Sequence, residues 1–241
     1  MMAAIHNAIA FAWSRYKESG DAERAVDEAI ELIESSPEAI AGAARSILPV
    51  DTVMTYSYSS GVVELLSRLK PRRAIVSEAR PLNEGLKTAR QLRAAGIPMT
   101  LITEAQMALF VQVADAVVVG ADTILENGDF INKIGTRLLA LAAQDASVPF
   151  YAVGETLKVM APSEPLRGAP EEGKAKEVSA ERWLEVRNVY FEVTPARLVT
   201  AYITDAGILR PDQVRRFAAE ADRRWQALMN SHSLKEAAAS A

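Results

Sequence analysis

Five short segments carry the residues whose types and spacing could do chemistry. Thr55-Tyr56-Ser57-Tyr58-Ser59-Ser60-Gly61 joins an apolar run to an amphipathic stretch. Amides at a helix N-terminus favour an anion there. The hydroxyls of Ser59 and Ser60 add donors, and Gly61 lets a ligand approach the backbone. The same residues would equally make a serine-rich helix cap, since the pattern is weaker than a full phosphate loop. Gly120-Ala121-Asp122 ends a run of valines. A carboxyl group desolvated at that place has a raised pKa and could move protons at neutral pH, although an isolated Asp more often caps a turn. Glu126-Asn127-Gly128-Asp129 carries the Asn-Gly hairpin signal and would form a small flap. Asn132-Lys133-Ile134-Gly135-Thr136 opens a helix. A lysine there opposes the helix dipole by about 0.3–1 kcal/mol, which calls for a compensating anion, either a ligand or Asp122. Finally, Arg80 in Glu78-Ala79-Arg80-Pro81 could clamp a phosphate or carboxylate, or pair at the surface with Glu78 or Glu84. Lys158 lies outside this set and is expected to take no part in it.

Other chemistries are excluded by what is missing. There is no cysteine, so disulfides, thiolate metal sites and cysteine nucleophiles are ruled out. The two histidines, His6 and His232, sit near the termini, which disfavours a Ser-His-Asp triad or a multi-histidine metal site. No cofactor and no metal are expected. The formal net charge of −4 does not favour nucleic-acid binding. No apolar run reaches the ~18 residues needed to span a bilayer, and the first twenty residues lack the pattern of a signal peptide. The chain is therefore expected in the cytoplasm, without a membrane partner.

The elements that must position these residues follow from periodicity. Residues 1–50 read as an N-terminal helical domain. Asp21 can cap one amphipathic helix, and Ser36-Pro37-Glu38 reads as the start of another. From residue 51 short apolar runs (52–57, 73–78, 98–103, 115–121 and 149–154) alternate with amphipathic stretches, among them 104–114. That alternation implies an α/β fold with a parallel sheet, and the uniformly apolar runs imply helices on both faces. Gly96-Ile97-Pro98 closes a helix and opens a strand. Residues 162–180, rich in Pro, Gly and charge, read as a solvated loop. VYFEV and RLVTAYITD offer further strands. Asp212 can cap a last helix over 213–230, and the tail is expected to fray.

Taken together, VSEARPLNEGLKTARQLRAAGIPMTLITEAQ, VVVGADTILENGDFINKIGTRLLALAAQDASVPFYAVGET and FEVTPARLVTAYITDAGILRP resemble the initiation factor 2B alpha/beta/delta family. That family also includes ribose-1,5-bisphosphate isomerase and methylthioribose-1-phosphate isomerase. The resemblance covers residues 51–215 and implies a Rossmann-like parallel-sheet core in a 51–241 α/β domain, with a closed dimer of like chains. It places Asp122 on the isomerases' catalytic aspartate and Asn132 and Lys133 on their substrate-binding pair. Ser57 stands where the isomerases carry a catalytic cysteine, and Glu84 where they commonly carry a substrate-binding glutamine. Their N-terminal Arg-Gly phosphate loop is not visible in residues 1–50. The resemblance thus implies a crevice for a phosphorylated sugar or nucleotide, lined by Ser59, Ser60, Gly61, Arg80, Glu84, Asn132 and Lys133. Three readings stay open. The crevice binds without catalysis, and this reading is preferred. Alternatively, Asp122 isomerises an aldose 1-phosphate with Ser57 assisting, or the chain is an assembly subunit with a vestigial pocket.

Overall fold

The structure, a computed structural model, describes residues 3–48, 51–164 and 172–231. Two long helices come first, α1 (Ala3–Ser19) and α2 (Ala22–Ala44). The Asp21 carboxylate accepts from the amide of Arg24 at 3.0 Å and caps α2 as expected. The proposed boundary at Ser36-Pro37 is not one. Pro37 sits inside a continuous α2, and the Ser36 hydroxyl turns back to the Leu32 carbonyl at 2.6 Å. Proline removes one amide donor, a loss an otherwise well-packed helix survives. Packing on the buried side (Ile40, Ala41 and Ala44) outweighs the local start signal.

The strands β1 (Thr52–Tyr56), β2 (Arg73–Ser77), β3 (Met99–Ile102), β4 (Ala116–Gly120), β5 (Thr123–Ile124), β6 (Phe130–Lys133), β7 (Phe150–Val153), β8 (Phe191–Thr194), β9 (Ala201–Thr204) and β10 (Gly207–Leu209) form two sheets. The large one runs β10-β9-β7-β4-β1-β2-β3, and every pairing in it is parallel except β10 on β9. The small one, β5-β6-β8, is antiparallel. Helices α3 (Ser60–Leu69), α4 (Gly85–Ala94), the single turn α5 (Met107–Phe110), α6 (Thr136–Asp145) and α7 (Arg215–Met229) complete the chain.

The apolar runs are continuous because both faces of the large sheet are covered. Successive side chains point to opposite faces. Along β4, Val117 and Val119 enter a core with Met107, Leu139 and Ala218, whereas Ala116 and Val118 enter a second core with Ile40, Leu66 and Leu92. Helix α2 therefore packs on the same sheet face as α3 and α4.

Two local expectations are corrected. Residues 104–114 do not form one helix; a 3-10 turn (Glu104–Gln106), α5 and a second 3-10 turn (Val111–Val113) follow one another. The Glu104 carboxylate is committed elsewhere, to the loop after β2. Asp212 does not cap α7; it pairs with Arg210, and a 3-10 turn at Pro211–Gln213 precedes the helix. VYFEV is a strand as expected, and it supplies β8 to the small sheet. The loop expected over 162–180 lies partly outside the described residues, at 165–171, as do His232 and the tail. Among the described residues no helix is long and apolar enough to cross a membrane.

Gly85 is where the fold tolerates no side chain. A Cβ there would lie 1.8 Å from the Ser77 carbonyl oxygen, so the loop before α4 could not keep its path. Gly85→Ala should lower the urea midpoint by the equivalent of about 1–3 kcal/mol or more, as overpacking does. Gly42→Ala, with nothing within 4 Å of the added Cβ in the exposed part of α2, should raise it. Equal effects from the two would contradict the packing described.

Candidate functional site

The large sheet reverses its winding between β1 and β4. An open α/β sheet places its crevice beyond the carboxyl ends of the strands at such a point. Ser57 follows β1 and Asp122 follows β4, so both expected residues meet there. Ser57 adopts φ +59°, a left-handed conformation uncommon for a residue with a side chain. It is held on both sides: its carbonyl accepts from the Thr88 hydroxyl at 2.7 Å, and its hydroxyl donates to Glu84 at 3.3 Å. The turn carries the chain into α3, which Ser59 caps through the amide of Val62 at 3.4 Å. Gly120 lets Ser59 come close, since a Cβ there would meet its hydroxyl at 2.6 Å. Ser60 is exposed and Gly61 half-buried at the first turn of α3.

The flap around Asn127-Gly128 exists as expected, as the β5–β6 hairpin. Asp129 ties it down by accepting from the amide of Ala196 at 2.8 Å, and Tyr202 donates to the Gly128 carbonyl at 2.6 Å. At the end of β6 the Asn132 amide donates to Thr136 at 3.0 Å. Thr136 in turn donates to the Lys133 carbonyl at 2.6 Å, closing the start of α6. The Tyr56 hydroxyl donates to the Ile134 carbonyl at 2.6 Å beside Gly135, whose φ of +98° and lack of a Cβ leave room for that ring.

The expected compensation at Lys133 is real, but Asp122 does not provide it. Lys133 is 5% exposed, and its ammonium pairs with Glu84 at 2.8 Å. The amides at the start of α6 go instead to Glu192, which accepts from Gly135 at 2.7 Å and Arg137 at 2.9 Å. The ring of Tyr190 lies 4.6 Å from the Lys133 ammonium. Tyr190 and Asn188 both donate to Glu177, and these two bonds, with Lys174 and then Lys133 adding to them, hold the Glu177 carboxyl below the usual range against the opposing effect of burial. The segment before β8 is therefore folded against the crevice.

Arg80 is exposed, and among the described residues it pairs with neither Glu78 nor Glu84. Its loop is pinned through the backbone: Glu104 accepts from Ser77 at 2.9 Å, Ala79 at 2.6 Å and Arg80 at 3.3 Å.

Lys158, expected to lie apart, lies beside the crevice residues. Its stem crosses Gly154 beside Ala121, and its charge acts on Asp122. The turn that carries it is clamped twice. Asp205 accepts from the Thr156 amide at 2.6 Å and hydroxyl at 2.9 Å, and Asn7 of α1 donates to the carbonyls of Leu157 at 2.6 Å and Val159 at 2.7 Å. The signal was in the sequence: Gly154-Glu155 follows an apolar run whose carboxyl end must face the same crevice. Tyr190, Glu177 and Glu192 gave no comparable signal.

Desolvation raises the Asp122 carboxyl above its ordinary value, Glu84 adds to the rise, and Lys158 and Lys133 oppose it. The side chain is exposed at the crevice mouth, where solvent screens part of these effects. Among the described residues its carboxylate makes no side-chain hydrogen bond, and no group of three or more His, Cys, Asp or Glu could hold a metal ion. The arrangement offers a carboxyl group of raised pKa, two nearby ammonium groups, a buried hydroxyl and the open first turn of a helix.

A family model described as the initiation factor 2 subunit family matches residues 2–211. A ribose 1,5-bisphosphate isomerase of Methanocaldococcus jannaschii is 33% identical over 221 residues, covering 86% of this chain and 71% of that protein. A putative translation initiation factor eIF-2B subunit 2-like protein of Pyrococcus horikoshii is 36% identical over 197 residues, covering 78% of this chain and 68% of that one. The crystal structure of the translation initiation factor eIF-2B of Pyrococcus horikoshii OT3 superposes with a TM-score of 0.74 at 33% identity, covering 87% of this chain and 76% of that chain.

The raised Asp122 carboxyl has a stability consequence. The native chain keeps a proton that the unfolded chain releases near pH 3.8, so stability falls as pH climbs from that value through the folded pKa. Asp122→Asn removes this cost. It should raise Tm at neutral pH and leave it unchanged below pH 3.8. A Tm gain of equal size at both pH values would show that desolvation of the charge is not its source.

Proposed function

The chain belongs to the initiation factor 2 subunit family, and from that premise we propose that it binds a phosphorylated sugar or nucleotide in the crevice between Ser57 and Asp122. The observation that carries this reading is the convergence of Asp122, Lys158, the Lys133–Glu84 pair and the open N-terminus of α3 at the carboxyl ends of adjacent strands. A phosphate suits the exposed amides at Ser60 and Gly61, where the helix dipole adds to the hydrogen bonds. The sugar hydroxyls suit Asn132, Lys133 and Glu84, which offer donors and an acceptor.

Binding without efficient turnover is the preferred form of the proposal. Moving a hydrogen between neighbouring carbons of a sugar phosphate needs a positioned acid/base and a dry pocket. Asp122 fits the first role. The Ser57 hydroxyl stays protonated without a base to activate it, and its nearest partner, Glu84, is already held by Lys133. The second reading, an aldose-1-phosphate to ketose-1-phosphate isomerase, is favoured by one observation, the raised proton affinity of Asp122 beside two lysines. The Methanocaldococcus jannaschii relative bears an isomerase's name.

A thermal-shift screen with pentose phosphates and nucleotides tests the binding. A ligand at ~100 times its Kd should stabilise the chain by about 2.7 kcal/mol, and Lys133→Ala should remove most of that gain. Unchanged ligand affinity in Lys133→Ala would exclude this crevice. Ser57→Cys, nearly isosteric and with a thiol of pKa about 8.5, should raise turnover of an aldose 1-phosphate if the rest of the pocket is competent, and adding Asp122→Asn should abolish the gain. Robust turnover by the unmodified chain, lost in Asp122→Asn, would replace the first reading by the second.

A closed pair of like chains accompanies this proposal. Ala201–Thr204 are spent in the sheet core, so they offer no interface. Leu109, Val113, Leu138, Leu141 and Val193 remain exposed on α5 and its following turn, α6 and β8, which pack side by side. A two-fold pairing is the commonest way to cover such a surface. Sedimentation at micromolar concentration should show a dimer, and a Leu138→Glu, Val193→Glu double variant should run as a monomer. A monomeric wild-type chain would refute the pairing.

A further inference from the structure

The helical hairpin of α1 and α2 turns its large apolar residues outward. On α1 the buried positions are Ala3, Asn7 and Ala10, while Ile5, Ile9 and Tyr16 stay exposed. On the first half of α2 the buried positions are Ala25, Ala29 and Ser36, while Val26, Ile30 and Ile33 are each about half exposed. A hairpin that served only its own core would place its large apolar side chains inward. The outward residues recur at the spacing of a face that packs on another helix. Two hollows run along the seam between the helices and meet at Ile9. One, of about 390 Å³, is lined by Trp13, Tyr16, Val26 and Leu228 among others; the second, of about 310 Å³, by Ile5, Ile33 and Leu157. From Ile5 to Tyr16 the seam runs about 17 Å at a helical rise of 1.5 Å per residue, room for about three turns of a docked helix.

Charge along the seam narrows the occupant. From Ala3 to Ala44 the chain carries three Lys or Arg against eight Asp or Glu. The cations are largely engaged: Arg15 pairs with Glu18 and Glu28, Arg24 with Glu28, and Lys17 lies 5.9 Å from the ring of Trp13. His6 pairs outside the hairpin, with Glu164. Asp21 caps α2, and Glu38 pairs with Arg68 of α3. Glu23, Asp27, Glu31 and Glu34 have no ion pair among the described residues, and the first three border one hollow. They recur every three or four residues, so they form one stripe of α2, a position round from Val26, Ile30 and Ile33. Like charges at that spacing repel one another, and cations laid beside them relieve the repulsion. A second copy of the hairpin would bring an equal stripe of carboxylates to the seam, so like charge disfavours that occupant. We propose that the seam between α1 and α2 is a docking site for an amphipathic helix of a partner protein, with large apolar side chains on one face and Lys or Arg beside them. The apolar side chains enter the two hollows, and the cations lie along Glu23, Asp27, Glu31 and Glu34. Exposed charge pairs set orientation and association rate more than affinity, so the apolar contacts supply most of the binding.

Calorimetric titration of the full chain with a synthetic helix of leucine and lysine, about 14 residues long with the leucines on one face, tests this. The control is a peptide of the same composition in scrambled order, which has no apolar face. Wild type should bind the first peptide at least about tenfold more tightly than the second. Ile9→Ser and Val26→Ser, both at exposed positions and both neutral, should each weaken binding about fivefold or more. A triple variant, Asp27→Asn, Glu31→Gln and Glu34→Gln, should flatten the dependence of binding on salt. No binding, equal binding of the two peptides, or an affinity unchanged in both serine variants overturns the proposal. A lower sedimentation coefficient for Ile9→Ser than for wild type overturns it too, since the seam would then belong to a second copy. Should neither serine variant fold by circular dichroism, the comparison of the two peptides on wild type decides.

Discussion

A buried ammonium group organises this structure. Lys133 sits at the end of β6 with little solvent to hydrate it, and a charge in that position costs several kcal/mol unless it is paired. Three separate stretches of chain supply what it needs. The loop after β2 brings Glu84, the segment before β8 brings the face of Tyr190, and Glu177 is held near by Asn188 and Tyr190. The lysine therefore ties the small antiparallel sheet to the large parallel one. Where Lys133 projects is set in turn by the β5–β6 hairpin, by the Asn132–Thr136 bond and by Gly135, which admits Tyr56.

Most of the fold was legible in the sequence, and for one reason. A parallel sheet covered on both faces needs strands that are apolar at every position, and the runs at 52–57, 73–78 and 115–121 match β1, β2 and β4 almost residue for residue. The misreadings share a different cause. Ser-Pro-Glu starts a helix in isolation, but packing of Ile40 and Ala41 on the sheet carried α2 through it. Glu104 reads as part of a helix and Asp212 as a helix cap, yet each is bound to nearby backbone or side chains that no periodicity reveals.

The site was legible where it depends on strand ends and illegible where it depends on long-range pairing. Asp122 and Ser57 follow β4 and β1, and the crevice rule finds them from order alone. Lys158 obeys the same rule after β7 and was overlooked because its turn lacks a glycine-rich or serine-rich mark. The partner of Lys133 was sought in Asp122, its neighbour in the motif. Glu84 took the role because the loop before α4, anchored by Glu104 and by the close approach of Gly85 to Ser77, aims it inward. That loop reads as polar surface in one dimension.

The residues that break local rules here sit together, which is what a working site leads one to expect. Ser57 is left-handed, Lys133 is a buried cation at the mouth of a helix, and the Asp122 carboxyl is held above its ordinary value without a hydrogen-bonded partner among the described residues. Each alone has a structural remedy, and the fold applies one to the first two: Thr88 and Glu84 hold Ser57, and Glu84 with Tyr190 holds Lys133. Asp122 receives none among the described residues. Lys158 and Lys133 moderate its shift but do not cancel it, and its side chain faces the open crevice. An assembly subunit with a vestigial pocket would gain stability by losing that carboxylate, and it would have no use for the double clamp that Asn7 and Asp205 place on the Lys158 turn. A ligand that completed the electrostatics around Asp122 would offset that cost, which is the physical link between this carboxyl group and the proposed binding.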